Sequence, residues 1–328
     1  MNHSAYFSVI FLLLAAISPP AMALKYALGS CVDQRMAQPI WQAIENEKID
    51  GFIFLGDNVY GDSKSGKLDR MKQAYAQQKK SFPSWLNKKQ VLAIWDDHDY
   101  GINDGGGDYP KKIEAESLFF DFWQVPSDDP RRSREGVYFD YKKNADGVII
   151  HFIGLDTRYF RSPLPDKNTK LNLIDRANDT VLGESQWEWL TQTLDSSNAD
   201  LIVILSSIQV LATDHPYEKW SNFPLERARL ISMLSSAAQN KTVITLSGDR
   251  HRSGFYQLDN LIELTASPLN KVSSQNPEFD PLLLNKTYPE INYGILDLQV
   301  EKLRVALSLH DGVGDLLEQH YVPLKSHN

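Results

Sequence analysis

Short apolar runs alternate with amphipathic stretches along most of this chain. Runs at 25–30, 51–55, 91–95, 201–205 and 242–246 have the length and the branched or aromatic content of buried strands. Between them, apolar positions at helical spacing predict helices over about 39–47, 67–78, 82–87, 110–122, 184–194 and 225–238. Residues 137–141 and 148–155 read as an antiparallel pair closed through Asn144-Ala145-Asp146-Gly147. From Gly254 onward, runs at 255–258, 261–264, 291–300 and 303–309 predict a second, mostly antiparallel sheet. This is not the strict strand–helix succession of a doubly wound fold. It predicts an α/β architecture in which two mixed sheets pack face to face with helices outside. The Pro- and Asp-rich stretches 126–134 and 162–179 read as loops rather than boundaries, so residues 24–328 are expected to form one domain.

Residues 1–23 stand apart. They contain no Asp, Glu, Lys or Arg, and an apolar run over 6–17 is followed by Pro19-Pro20 and Ala21-Met22-Ala23. That order matches a signal peptide with a small-x-small cleavage site, making Leu24 the expected first mature residue of a periplasmic or extracellular protein. The run is short for a bilayer span, with a retained anchor as the alternative, and no transmembrane segment is expected in the mature chain. The chain has 328 residues, 42% of them hydrophobic, and a formal net charge of −8. It can bury a sizeable core but is unsuited to coating nucleic acid by bulk electrostatics, so no stable nucleic-acid complex is expected. A phosphate substrate is still allowed, because bound cations reverse the local field.

Export changes the reading of the single cysteine, Cys31, which has no partner to oxidise with. It follows a strand and a Gly-Ser turn, the place where open α/β sheets bind ligands. Three other strand ends carry comparable chemistry: Gly56-Asp57-Asn58-Val59-Tyr60, Trp95-Asp96-Asp97-His98-Asp99 and Gly248-Asp249-Arg250-His251. Gathered at one edge, a thiol, several carboxylates and two imidazoles require counter-charge, which cations supply. The carboxylate of Asp57 is the best candidate to bridge two metals, and Tyr60 could return its phenolate to one of them.

These segments resemble the PhoD-like alkaline phosphatase/phosphodiesterase family, a branch of the calcineurin-like metallophosphoesterases. The matching stretches also include the continuation Tyr100-Gly101-Ile102-Asn103-Asp104, Leu155-Asp156-Thr157-Arg158, and the helix start Leu182-Gly183-Glu184-Ser185-Gln186-Trp187-Glu188-Trp189-Leu190. Relative to the wider superfamily, Cys31 replaces the opening Asp-x-His, Asp97 stands for the central Asn, and Asp249 replaces the first His of the last element. The resemblance implies a metallophosphoesterase-type α/β/β/α sandwich with an iron and calcium centre. Ligand chemistry agrees. Cys31, Tyr60, His251 and bridging Asp57 suit Fe(III), with Zn²⁺ as an alternative, whereas Asp57, Asp97 and Asp249 offer only oxygen, for Ca²⁺ or else Mg²⁺ or Mn²⁺. The expected reaction is hydrolysis of a phosphate mono- or diester by a metal-bound hydroxide, with a lean toward diesters from the resemblance. The resemblance also places His98 near the leaving group. Asp99 is expected to orient that imidazole, and Arg158, with Arg250 and Arg252 as further candidates, to contact phosphate.

Two other readings compete. The same donors could hold structural metals in an exported, non-catalytic module. A hydrolase using Ser30 or Ser207 is disfavoured because no Gly-x-Ser-x-Gly elbow occurs. His151, His215, His310, His320 and His327 receive no role in the chemistry, and His215-Pro216-Tyr217 with Trp220-Ser221 is a candidate substrate-facing lip.

Overall fold

A computed structural model describes residues 24–165 and 176–325. The expected signal segment, the middle of the 162–179 loop and His327 lie outside the described residues. In chain order the elements are β1 (Leu24–Gly29), α1 (Ile40–Asn46), β2 (Gly51–Leu55), α2 (Asp69–Ser81), β3 (Gln90–Ile94), α3 (Asp97–Tyr100), α4 (Lys112–Phe122), β4 (Phe139–Ala145) and β5 (Val148–Gly154). There follow α5 (Gly183–Asp195), β6 (Leu201–Ser206), α6 (Pro224–Ala237), β7 (Thr242–Ser247), β8 (Gly254–Leu258), β9 (Leu261–Thr265), β10 (Asn292–Gln299), β11 (Arg304–Asp311) and β12 (Leu316–Pro323). The predicted helix over 82–87 is a 3₁₀ segment, Ser84–Lys88.

Two six-stranded mixed sheets result, ordered β12-β11-β10-β1-β2-β3 and β4-β5-β6-β7-β9-β8. Their inner strands are buried on both faces, which is why they read as continuous apolar runs rather than alternating ones. Ile53 and Leu55 meet Val203 and Leu205 between the sheets. Phe52 and Phe54, one residue out of phase, face α1, α2 and α4 with Trp41, Met71 and Phe119. Ile202 and Ile204 likewise face α5 and α6 through Trp187, Leu190 and Leu230. The α/β/β/α layering expected from the sequence is therefore the observed one. Among the described residues, no helix is long and apolar enough to cross a membrane.

The strands after residue 254 do not form a sheet of their own. β8 and β9 extend the second sheet, with β9 parallel to β7, while β10 runs antiparallel to β1 from Leu24↔Leu298 to Leu28↔Gly294. Apolar periodicity specifies that a segment is a strand, not which edge receives it. The edge strand β12 escaped the pattern because it carries Glu, Gln and His between partly exposed apolar residues. The β4–β5 hairpin is as expected: Asp146 and Gly147 have φ of 49° and 91°, the positive pair a two-residue turn requires.

On α4, Glu116 accepts a 2.6 Å hydrogen bond from the Gly136 amide. Burial pushes its carboxyl up from 4.5 to about 7, against the opposing pull of that amide. The folded chain thus disfavours the ionised form. Its contribution to stability is full below pH 4.5 and is lost as pH rises through 7. Glu116→Gln retains an acceptor and removes the loss. Its melting temperature is expected to exceed the parent's at pH 8 and to match it at pH 4; equal melting temperatures at both pH values would refute this.

Candidate metal centre

Four parallel strands deliver the chemistry, because the carboxyl ends of β1, β2 and β3 in one sheet abut that of β7 in the other. A Cβ on Gly248 would lie 2.6 Å from the Leu55 carbonyl oxygen and 2.7 Å from the Ser30 Cβ, so only glycine permits this approach between sheets. Just past the strands, Cys31, Asp57, Asp249 and His251 have φ of 58°, 51°, 63° and 51°. Left-handed backbone is uncommon for such residues and clusters at functional sites. Here it turns each side chain off its strand toward a shared volume.

Asp57 is the hub. Among the described residues it belongs to all three groups of donors, two buried and one partly buried in each, whose ligand atoms lie within 4.8 Å of one another: Cys31–Asp57–His251, Asp57–Asp97–His98 and Asp57–Asp96–Asp249. Tyr60 completes the first, its hydroxyl 3.1 Å from Asp57 Oδ2 and 3.2 Å from His251 Nε2. The Cys31 sulfur accepts from Ser267 Oγ at 3.2 Å and from Ser30 Oγ at 3.4 Å, contacts that favour a thiolate. On the oxygen-rich side, Asp97 Oδ2 accepts from the Asp104 amide at 2.7 Å. Asp97 Oδ1 and Asp96 Oδ2 are buried without a hydrogen-bond partner among the described residues.

The electrostatics show what the cluster lacks. Burial, then the Asp249 charge, push the Cys31 thiol up to about 12. Burial also raises Asp57 and Asp96 well above the carboxylate range, despite His98 beside the first and Arg158 beside the second. Asp249 is pushed up to about 6 by burial, with Arg250 opposing and Asp97 reinforcing. Burial works against Asp97 too, but His98 and Arg158 hold it at about 2. Anionic donors at this density, with orphaned oxygens directed among them, fit a site for two cations: a mixed sulfur, oxygen and nitrogen set and an all-oxygen set sharing Asp57.

All six residues expected as metal donors come together. The sequence missed Asp96, whose carboxylate joins Asp57 and Asp249. Two adjacent acids at a strand end give no signal that both turn inward. Three other expectations are corrected. Asp99 does not orient His98: it is fully buried and accepts from the Asp96 amide at 2.6 Å and from Asn58 Nδ2. Asp62 holds His98 instead, 2.8 Å from Nδ1. Arg158 is buried away from the cavity, reaching Asp96 Oδ1 through Nε at 2.6 Å and Glu218 through Nη1 at 2.5 Å. Arg252 donates to the Asn276 and Ser274 carbonyls and so fastens a loop. Arg250 does line the cavity, paired with Glu278 at 2.7 Å.

That cavity, about 620 Å³, opens over Asp97, His98, Asp249 and His251. Of the expected lip, Pro216 and Tyr217 line the cavity, joined by Lys219, whereas Trp220 is buried behind it with its indole on Ser206 Oγ. Ser207 is held between Thr157 Oγ1 and Asp96 Oδ1, and Ser30 faces the Ala266 carbonyl, so neither hydroxyl lies against a histidine.

Comparison with known proteins follows from this geometry. The family model described as PhoD-like phosphatase matches residues 27–279. Alkaline phosphatase D of Bacillus subtilis (strain 168) is 23% identical over 292 residues, covering 74% of this chain and 48% of the relative. The chain thus spans about half the length of that curated relative. A solved structure of PhoD superposes with TM-score 0.68 at 18% identity, over 92% of this chain and 68% of the other. GAP50, described as the anchor in the inner membrane complex of Plasmodium, gives 0.63 at 14% identity over 93% and 90%. The purple acid phosphatase PPD1 of yellow lupin gives 0.53 at 11% over 93% and 54%.

Removing Arg158 leaves the buried Asp96 without its direct counter-ion and Glu218 with Arg161 alone. Arg158→Met is expected to cost about 3–5 kcal/mol in urea unfolding, the range for breaking one side of a buried pair. Arg158→Lys should recover part of it. Wild-type stability in the Met variant would refute the structural role.

Proposed function

The chain belongs to the PhoD-like phosphatase family, and on that premise we propose that it is an exported, metal-dependent phosphoesterase acting on phosphate mono- or diesters, diesters preferentially. The observation that carries this reading is the Asp57-centred donor set beneath an open cavity with His98 in its wall. Cys31, Tyr60, His251 and Asp57 would hold Fe(III), or Zn²⁺ in its place. Asp57, Asp97 and Asp249, joined by Asp96, would hold Ca²⁺, with Mg²⁺ or Mn²⁺ as substitutes. Bound there, such ions supply Lewis acidity toward water and toward the phosphoryl oxygens.

The chain's own groups then have distinct tasks. Burial opposes the charge on His98, but Asp97, Asp57 and Asp62 push its pKa up to about 11. Cations held by Asp97 and Asp57 would offset that pull and leave Asp62 as the partner of His98; with Nδ1 on Asp62, Nε2 is the nitrogen left to face a departing oxygen. Asp62, in this reading, is a positioning residue. Arg250 and Lys219 bring two cations to the cavity wall, where a phosphoryl group would sit. A cavity of 620 Å³ has room for a substituent on each side of the phosphorus, as a diester requires.

A non-catalytic metal-binding module is the second reading, since the donors alone do not require turnover. Hydrolysis of bis(p-nitrophenyl) phosphate by purified, metal-loaded protein separates the two. Asp57→Ala and His98→Ala are each expected to lower kcat by about 10²-fold or more. Metal analysis should find two ions per chain, iron and calcium or their substitutes. Metal bound without turnover of mono- or diesters would favour the module.

A further inference from the structure

A second cavity meets the first at His98 and His251, which line both. It is an open cleft of about 360 Å³ on the Tyr60 side of the centre. Its composition is unlike that of the main cavity, which carries four carboxylates. Four of its nine lining residues are Lys or Arg: Arg35, Lys64, Arg70 and Lys271. Its acid, Asp62, is already engaged by His98. In a chain of net charge −8 this concentration of positive charge beside the reacting centre is not what composition supplies by chance.

Two of the cations are fixed in place from beneath. The buried Asp33 accepts from Arg35 Nε at 2.8 Å and Nη2 at 2.6 Å, and from Lys271 Nζ at 3.0 Å. Asp33 is itself anchored, its amide donating to Asn270 Oδ1 at 2.7 Å. Lys271 Nζ lies 5.2 Å from the centre of the Tyr60 ring, which in turn lies 4.3 Å from that of His98. The positive row thus begins at the wall of the metal centre. It ends in Lys64 and Arg70, which are exposed and make no ion pair among the described residues.

From this arrangement we infer that the cleft is a subsite for a second anionic group on the substrate. The preferred ester would carry a phosphate on the alcohol attached to the reacting phosphorus. The inference rests on the phosphoesterase reading and narrows its substrate class. Lys64 and Arg70 provide charge free to pair with that group, and the Asp33-held cations set the direction in which it enters.

Lys64→Ala/Arg70→Ala tests this, since both side chains are exposed and their loss should leave melting temperature unchanged. Two substrates of the metal-loaded protein are compared: 3-hydroxypropyl p-nitrophenyl phosphate and the same ester phosphorylated on its hydroxyl. For the phosphorylated ester, KM in the variant is expected to rise about tenfold with kcat unchanged, the effect fading at high salt. For the unphosphorylated ester, KM should stay within about twofold. Equal changes for both esters, or none, would overturn the subsite. If neither ester is turned over, the phosphoesterase reading fails, and calorimetric binding of 1,3-propanediol bisphosphate to the same two proteins decides the subsite. Weaker binding by the variant supports it, and equal binding rejects it.

Discussion

The structure is organised around a concentration of negative charge that it cannot neutralise by itself. Cys31, Asp57, Asp96 and Asp97 are buried and Asp249 is partly so, and the donor groups built from them share Asp57. Arg158 and His98 offset part of the charge, yet burial still raises Asp57 and Asp96 well above the usual carboxylate range. Carboxyls held in water's absence either take up protons or find cations. Much of the surrounding design follows from keeping these groups together against their repulsion. The left-handed backbone at four of the donors, the glycine contact between sheets and the Arg158–Glu218–Arg161 network each serve that end.

The frame explains where the charge is gathered but not what it does. GAP50 superposes over nearly the whole of both chains, and its description is that of an anchor. PPD1 shares the layering and is described as a purple acid phosphatase. One sandwich therefore accommodates different roles, and function must be argued from the donors. In this chain Cys31 and Tyr60 give one half of the site sulfur and phenol donors beside His251 and Asp57, whereas the other half offers oxygen alone. On the proposed reading, such a division would select two unlike metals more readily than two alike.

Layering and most strands were legible in the sequence because the inner strands of both sheets are buried on two faces and announce themselves as apolar runs. Pairing was not legible: nothing in 292–299 marks β10 as the neighbour of β1 rather than of β9. The candidate donors were legible because polar residues just after an apolar strand are anomalous, and the family resemblance narrowed them to six. Orientation was the part that stayed hidden. Asp96, Asp97 and Asp99 look equivalent in sequence, but the turn into α3 sends the first two toward Asp57 and the third toward Asn58. Asp62 sits in an unremarkable loop, and only folding brings it to His98. Arg158 lay in a recognisable motif, yet the motif's work is internal. Asp156 receives the amides of Val137, Arg158 and Tyr159 and the Trp95 indole, fixing the loop that carries Arg158 to Asp96.

On the proposed reading, an acidic chain acting on anionic esters would face repulsion twice, at long range and at the site. Its formal charge of −8 disfavours approach at distances within a Debye length of the surface, about 10 Å at moderate salt. Metals at the centre would answer the repulsion only at contact. The cations around the centre occupy the intermediate range. Arg250 and Lys219 lie on one side, in the main cavity, and Arg35, Lys64, Arg70 and Lys271 on the other. Arg35 and Lys271 share Asp33 and Arg250 is held by Glu278, so these three are pre-oriented at little further entropic cost. Lys64 and Arg70 make no ion pair among the described residues and can follow a ligand. A substrate with one charge would use only the first set, whereas one with two would use both. The asymmetry between the cavities is thus the feature from which substrate choice most directly follows.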